Sequence, residues 1–231
     1  MLKRLERRIP KCLRDPVRWL IIQIVRQPPV RTWYAWRLHR LARVSPVCLH
    51  LGCGSRHFPG WIQIDLLPQT PMPDVLLDLR QSLPLPDQSV EYIYSEDLIE
   101  HLDYEDGQRF IAECARVLKP GGVMRILTPN LRSFAQAYLN RSADDLAMYH
   151  DVFGVNTFAE MFNLGMRAWG HRFLYDEETL TAVLQGAGFQ VEPRLHGLSE
   201  EPLLRGLDSR SSTQGAHTMY FDCYKRKASS E

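Results

Sequence analysis

VCLHLGCGSRHFPGWIQID, residues 47–65, is the stretch that decides the fold. Val47–Leu51 is a short apolar run typical of a buried strand, and a second such run ends on the acid Asp65. Between the two runs, Gly52 and Gly54 lack the Cβ atoms that would keep the loop away from a ligand. A carboxylate after the second strand can accept hydrogen bonds from two ribose hydroxyl groups. The stretch therefore predicts a nucleotide site at the carboxyl edge of a parallel sheet.

Apolar segments and helical patterns alternate along the chain that follows. Val75–Leu77 and SVEYIYS, residues 89–95, are predicted strands, and Val123–Leu127 is a fifth. Tyr104–Leu118 carries apolar residues at helical spacing and ends before a Pro-Gly-Gly turn. This order predicts an α/β fold whose parallel sheet has helices on both faces. A length of 231 residues, with 45% hydrophobic and 24% charged residues, fits one domain with appendages.

Five features of this order resemble the class I S-adenosylmethionine-dependent methyltransferases, in particular the ubiquinone-biosynthesis-like group of small-molecule enzymes. They are the GCG loop, Asp65, the Asp78–Leu79 pair, the SEDLIEHL loop and the LKPGG turn. The similarity covers roughly residues 47–130, with a weaker match over 171–189. It implies a Rossmann-like doubly wound sheet, mostly parallel with an antiparallel last strand, and S-adenosylmethionine as cofactor.

The same resemblance assigns the cofactor-binding residues. It implies that Gly52, Cys53 and Gly54 form a loop that contacts the methionine part of S-adenosylmethionine. It further implies that Asp65 binds the ribose and that Asp78 and Leu79 contact the adenine. Ser95, at the end of the fourth strand, is the remaining predicted cofactor-binding residue.

Two features depart from the family pattern. His50 stands where the first strand usually carries an acid, and only a short loop follows Gly54 in place of the usual first helix. His50 is predicted to lie in the core or to support the site from behind. A dinucleotide fingerprint would need a third glycine at His57, so a nicotinamide oxidoreductase is less favoured.

Candidate proton acceptors follow the fourth strand and the predicted insertion. An activated sulfonium methyl mainly requires an aligned acceptor, and a hydroxyl acceptor must also lose a proton. His101 is the first choice because it titrates near neutrality, and Asp97 and His171 are the other catalytic candidates. Glu100 and His150 are further residues that could serve as a base near the crevice. For His101 and His171 the alternative is a structural role with backbone partners. No metal is predicted, because Asp97 and Asn130 alone offer oxygen ligands from different loops.

The resemblance implies methyl transfer to a small-molecule acceptor. The SEDL loop lacks the Asn/Asp-Pro-Pro-aromatic run associated with methylation of amino nitrogens, and no Pro-Cys nucleophile for cytosine is present. We expect an oxygen acceptor, and family association adds a saccharide or lipid-linked saccharide. The alternative is a non-catalytic protein on the same fold that binds the cofactor or docks on membrane or RNA.

Residues 1–46 form a predicted basic arm before the methyltransferase domain of residues 47–231. The arm contains twelve Lys or Arg and two acids, a net charge of +10, so the rest of the chain carries −9. Val30–Val44 reads as a basic amphipathic helix, and the apolar run Trp19–Val25 is too short to cross a bilayer. Three hypotheses follow for the arm: it covers the sheet or active site, it contacts an anionic membrane surface, or, least favoured, it binds nucleic acid.

Three further expectations concern the second half of the domain and its location. Residues 131–170 lack a strand signal and are too long for a simple connection, which predicts a helical cap over the substrate. His217–Lys225 alternates in polarity and is predicted to be a final strand at the sheet edge. Five cysteines without a CxxC pair indicate reduced thiols and a cytoplasmic protein, with membrane association as a further hypothesis.

Overall fold

The computed structural model describes residues 11–208 and 217–226, with side chains from residue 16 onward. Its strands are β1 (Cys48–Leu51), β2 (Ile62–Asp65), β3 (Val75–Leu76), β4 (Val90–Glu96), β5 (Leu118–Pro129), β6 (Phe189–Pro193) and β7 (Thr218–Lys225). They form one sheet in the order β3-β2-β1-β4-β5-β7-β6. The α-helices of the described residues are α1 (Lys11–Arg26), α2 (Pro28–Leu41), α3 (Tyr104–Val117), α4 (Leu131–Asn140), α5 (Ala143–Phe153), α6 (Phe158–Arg167) and α7 (Glu177–Gly186).

The central strand β1 is buried on both faces of the sheet. All four residues of β1 are buried, and β1 pairs in parallel with β2 on one side and β4 on the other. β7 runs antiparallel to both β5 and β6. This arrangement confirms the predicted fold class, a Rossmann-like α/β sheet that is mostly parallel and has an antiparallel last strand.

The predicted edge position of the last strand is wrong. β7 lies inside the sheet between β5 and β6, and β6 forms the edge. Five consecutive residues of β7 are buried, because neighbours cover both of its long sides as well as its faces. Alternating polarity in the sequence indicates a half-buried strand, but it does not distinguish an edge strand from one that has a neighbouring strand on each side.

The strand order reverses between β1 and β4, and this reversal positions the site. β2 and β3 lie on one side of β1, and β4 and β5 lie on the other. The connections leave the two strands in opposite directions, so a crevice opens beyond the carboxyl ends of β1 and β4. The loop after β1 and the SEDLIEHL loop after β4 border this crevice.

Three helices, α4 to α6, occupy the segment between β5 and residue 170. Asn130 caps the first of them, its side-chain oxygen accepting a hydrogen bond from the Ser133 amide. Thr157 and Glu160 form a reciprocal capping box at the start of α6. These caps explain why the segment, which has no strand pattern, folds as separate helices at the carboxyl edge of the sheet.

A glycine sets the distance between the first and last of these helices. A Cβ atom on Gly165 would lie 2.6 Å from Cε1 of Phe134, a buried ring of α4. We expect Gly165→Ala to lower the free energy of unfolding by about 1–3 kcal/mol, because the ring must move within a packed cluster. Gly186→Ala is the matched control, since its Cβ would have no neighbour within 4 Å. Urea unfolding should show the control near wild type, and equal losses in both variants would contradict the packing argument.

Candidate functional site

The loop after β1 contains two glycines, and the space that a Cβ atom would enter differs between them. Gly52 has a φ of +72°, and a Cβ there would lie 3.1 Å from the Leu98 side chain. Gly54 has a φ of +53°, but a Cβ there would meet no atom within 4 Å. Gly52 therefore permits close packing within the protein, whereas Gly54 leaves open space for a ligand.

Asp65 ties the end of β2 to this loop. One carboxylate oxygen accepts a hydrogen bond of 2.8 Å from the Gly54 amide, and the other accepts one of 2.9 Å from the Leu67 amide. Burial raises the pKa of Asp65, and these backbone hydrogen bonds offset part of the rise. The carboxylate is thus held rigidly beside the glycine loop, where the sequence predicts a ribose contact.

Asp78 makes contacts that the sequence did not predict. Its carboxylate accepts hydrogen bonds from Arg26 of α1 at 2.7 Å and from Arg80 at 2.8 Å. Burial alone would raise the pKa of Asp78, but the hydrogen bonds from Arg80 and Arg26 lower it overall. The next residue, Leu79, is buried in the main core. The Asp78 carboxylate is therefore engaged with cations, and its predicted role at the adenine stays a prediction.

Two further predicted cofactor residues, Ser95 at the end of β4 and Cys53 within the loop, are buried. Ser95 is 1% exposed, and its hydroxyl oxygen has no hydrogen-bond partner within the part of the chain that the structure describes. Cys53 is buried, and burial raises the pKa of its thiol to about 12, so it is a neutral thiol. An orphaned hydroxyl, an open glycine and a fixed carboxylate together fit a nucleotide cofactor at this edge of the sheet.

His50 is a core residue, one of the two predicted alternatives. It is 2% exposed, and its Nδ1 lies 2.9 Å from the Gln63 side-chain oxygen. Its ring stacks on Phe58 with centroids 4.5 Å apart. Burial lowers the pKa of His50 to about 4, so the imidazole is neutral and supports the strand packing.

A cavity of about 630 Å³ lies next to the glycine loop. Four of the predicted site residues line it: Gly54, Asp97, His101 and His171. The helices after β5 supply an apolar wall of Phe134, Met148, Tyr149, Val152, Phe153, Gly165 and Trp169. The cavity therefore has titratable groups on the sheet side and a largely apolar, partly aromatic wall on the side of the inserted helices.

His101 and His171 lie side by side in the lining of this cavity, although 69 residues separate them. Their ring centroids are 5.1 Å apart in an edge-to-face arrangement. His101 hydrogen-bonds to the backbone of Gly170, and Nδ1 of His171 lies 2.8 Å from the Gly165 carbonyl oxygen. Burial, and next the neighbouring His171, lower the pKa of His101. A neutral His101 imidazole can accept a proton.

Glu100 brings the two histidines together. Its backbone carbonyl accepts hydrogen bonds from the amides of Arg172 at 2.7 Å and Phe173 at 3.2 Å. These bonds anchor the segment after α6 against the short 3₁₀ helix Ile99–His101. The Glu100 side chain is fully buried and accepts a hydrogen bond of 2.9 Å from Thr128 on β5. Glu100 is thus a positioning residue for both histidines.

Asp97 turns the chain from β4 into the cavity. Its φ of +51° is unusual for a residue with a side chain, and its amide donates to the Leu127 carbonyl oxygen at 3.1 Å. Such backbone conformations cost free energy and are concentrated at functional sites. Asn130, the predicted alternative metal partner of Asp97, uses its side chain for the α4 cap and for a hydrogen bond to Glu177.

Within the described residues, the atoms closest to a metal-binding arrangement belong to Glu100, His101 and His171. One donor atom from each lies within 4.8 Å of the others. The prediction that the protein uses no metal stays a prediction.

Sequence reasoning missed His217, which also lines the cavity. Its Nδ1 contacts the Ser133 hydroxyl of α4, and its Nε2 lies 3.2 Å from a carboxylate oxygen of Asp145 on α5. The available signal was the antiparallel direction of the last strand. Such a strand begins at the edge where the parallel strands end, so the residue before it reaches the same crevice.

Comparisons with known proteins agree with this geometry. Residues 49–126, about a third of the chain, match the family model of a methyltransferase domain. A probable S-adenosylmethionine-dependent methyltransferase of Mycobacterium tuberculosis is 32% identical over 140 residues, covering 61% of this chain and 41% of that protein. A second, from Mycolicibacterium smegmatis, is 34% identical over 128 residues, covering 55% and 39%. This chain thus spans about two fifths of the length of the curated relatives that it matches.

A solved structure of a SAM dependent methyltransferase from Archaeoglobus fulgidus aligns over 84% of this chain and 94% of that one, with 17% identity and a TM-score of 0.49. At the level of the matched domain, the family model and the named relatives confirm the predicted type, a methyltransferase domain with S-adenosylmethionine as cofactor. The narrower ubiquinone-biosynthesis-like assignment stays a prediction.

Proposed function

We propose that this protein transfers the methyl group of S-adenosylmethionine to an oxygen atom of a small-molecule acceptor. The observation that carries the proposal is the cavity shared by Gly54 of the cofactor loop and the two imidazoles of His101 and His171. A methyl donor held at the glycine loop and an acceptor in the cavity would meet beside groups that can accept a proton.

The roles of the residues follow from their positions. Bound S-adenosylmethionine would supply an activated methyl group. Gly54 leaves space for the cofactor, and Asp65 offers oxygen acceptors to the ribose hydroxyls. His101 takes the proton of the acceptor hydroxyl, while His171 and Asp97 orient that hydroxyl from either side. Glu100 holds the segment that carries His171 in place.

The nature of the cavity supports an acceptor with an apolar face and a hydroxyl group. Phe134, Tyr149 and Trp169 line one side, and the imidazoles line the other. A saccharide ring has both an apolar face of C–H bonds and peripheral hydroxyls. We therefore include saccharides and lipid-linked saccharides in the proposed acceptor class.

Calorimetry and a methyl-transfer assay test the proposal. We expect S-adenosylmethionine and S-adenosylhomocysteine to bind with one molecule per chain, and NAD not to bind. Incubation with radiolabelled methyl donor and a panel of hydroxylated acceptors should transfer label to one acceptor class. Affinity for NAD alone would contradict the proposal. Cofactor binding without transfer to any acceptor would favour the non-catalytic alternative.

Removal of the Asp65 carboxylate should weaken cofactor binding. We expect Asp65→Ala to reduce the affinity for S-adenosylmethionine by about 1–3 kcal/mol, because ribose hydroxyls would lose their buried acceptor. Asp87→Ala is the control, since Asp87 precedes β4 at the opposite edge of the sheet and is largely exposed. Calorimetry measures the affinity of both variants and of the wild type for S-adenosylmethionine. An unchanged affinity for Asp65→Ala would show that the ribose lies elsewhere.

A further inference from the structure

We propose that the outer face of the N-terminal arm docks on the surface of an anionic lipid bilayer. This docking face is defined by the exposed side chains Arg18, Trp19, Leu20, Ile24, Trp33, Trp36, Arg40, Arg43 and Val44. The proposal concerns where the protein works. It does not depend on the methyl-transfer proposal.

Exposed apolar side chains are concentrated on the arm. Of the 17 large apolar side chains exposed in the described residues, eight lie between residues 17 and 44. Trp33 and Trp36 are 50% and 54% exposed and lie on the side of α2 away from the buried Leu38. Single exposed apolar residues are ordinary, but a concentration of this kind marks an interaction surface.

The formal charges of the segment from residue 16 to residue 46 are all positive. Residues 16–46 contain six arginines and no aspartate or glutamate. On α2 the Arg40 guanidinium lies 4.8 Å from the Trp36 ring centroid, and that of Arg37 lies 5.7 Å from the Trp33 ring centroid. Tryptophan rings favour the headgroup level of a bilayer, and arginines are attracted to anionic lipids. The two residue types therefore fit one partner surface.

The inner face of the arm is already used by the protein. Val25 and Leu38 are buried, Arg26 pairs with Asp78, and Arg31 donates to the Ser82 carbonyl oxygen at 3.2 Å. These contacts fix α1 and α2 on the body, as the first hypothesis for the arm expects. Among the residues that the structure describes, the outer tryptophans and arginines stay exposed.

A bilayer fits this face better than a second copy of the chain or a nucleic acid. Two copies meeting through the same face would bring arginines against arginines with no acid between them. Nucleic acid would suit the arginines and tryptophans, but it offers nothing apolar to the aliphatic chains of Leu20, Ile24 and Val44. The acyl region beneath anionic headgroups accommodates both the aliphatic and the cationic side chains.

The docking face also borders the crevice. Burial raises the pKa of Asp65 and lowers that of His101, and the charge of Arg18 has a smaller lowering effect on both, so the Arg18 end of α1 lies near both groups. Within the described residues, no helix is both long enough and apolar enough to span a bilayer. Docking by the arm would therefore hold the crevice close to the membrane surface.

Vesicle sedimentation of the full chain tests the proposal. At about 0.1 M salt, we expect the protein to pellet with phosphatidylcholine vesicles that contain 30 mol% phosphatidylglycerol. At about 1 M salt, we expect these vesicles to release it. Vesicles of phosphatidylcholine alone should bind it at least about tenfold more weakly. Tryptophan emission should shift to shorter wavelength with the anionic vesicles, as rings leave water.

Surface variants locate the contact. Arg40→Gln with Arg43→Gln should weaken binding to anionic vesicles about twenty-fivefold, at about fivefold for each arginine. Trp33→Ala with Trp36→Ala should weaken it by a similar factor or more. Leu195→Ala with Leu198→Ala is the matched control, because both residues are exposed and lie outside the arm. Circular dichroism and cofactor binding confirm that each variant is folded.

Three outcomes would overturn the proposal. They are equal binding to neutral and anionic vesicles, equal loss in the control and arm variants, and salt-sensitive binding to single-stranded RNA without vesicle binding. Concentration-dependent dimerisation that the tryptophan variants abolish, with no pelleting, would assign the face to a second copy of the chain instead. Each of these results is independent of whether methyl transfer is detected.

Discussion

Replacement of Arg125 by methionine should lower the free energy of unfolding by about 3–5 kcal/mol, a large part of the stability of a domain of this size. Arg125 on β5 is fully buried. Its guanidinium donates to Asp208 at 2.8 Å and to Asp222 of β7 at 2.7 Å. Methionine fills a similar volume but leaves Asp208 buried without its cation, and leaves Asp222 with only Arg194, 3.2 Å away.

The network around Arg125 explains why a single arginine matters so much. Arg125 and Asp222 are direct cross-strand partners of β5 and β7. Ser199 donates to the second oxygen of Asp222 at 2.8 Å, and the Gly197 amide donates to Asp208. The arginine therefore joins two strands to the loop between β6 and β7. Its loss should loosen the strand that presents His217 to the cavity.

Urea unfolding monitored by fluorescence gives the measurement. Arg109→Met is the matched control, since Arg109 forms an exposed ion pair with Asp106 on α3 and should cost less than about 1 kcal/mol. Adding Asp208→Asn and Asp222→Asn to Arg125→Met should recover part of the loss, because the two buried carboxylates that lost Arg125 become neutral. A loss below about 1 kcal/mol for Arg125→Met would contradict a structural role for the network.

His101→Ala should reduce turnover by about a hundredfold or more, which is the second of the two largest expected effects. The cofactor affinity should stay at the wild-type value, because His101 lines the acceptor side of the cavity. His39→Ala, on the exposed surface of α2, is the control histidine. Single-turnover rates and calorimetry separate the two quantities. Turnover near wild type would move the base role to His171 or to no residue.

The pH dependence of turnover gives a second test of His101. A general base must be neutral, and a histidine is neutral above its pKa. Burial and the neighbouring His171 lower the pKa of His101 below its ordinary value near 6.5. Turnover should therefore persist as pH falls through 6.5 and decline only at lower pH, and His101→Ala should lose this inflection. A decline centred above pH 6.5 would contradict a base with a lowered pKa.

Local sequence patterns were sufficient for the framework of the fold. The apolar run of β1, the glycine loop and the acid after β2 predicted a crevice at the carboxyl edge, and the helical spacing in Tyr104–Leu118 predicted α3 within one residue. The arm and the helices after β5 also follow from local pattern. Each of these features depends on residues that are close together along the chain, where side-chain periodicity determines which face is buried.

Long-range contacts decided the details of the candidate site. The proximity of His101 and His171 depends on backbone hydrogen bonds to Glu100, and the contacts of Asp78 include an arginine 52 residues earlier. The position of β7 between β5 and β6, and with it the place of His217, depends on strand pairing. The sequence by itself determined the order of elements and the edge of the sheet where chemistry can occur. Only the tertiary structure decided which side chains contact one another there. These contacts depend on packing between segments that are far apart in the sequence, and the local pattern of one segment does not indicate which other segment it packs against.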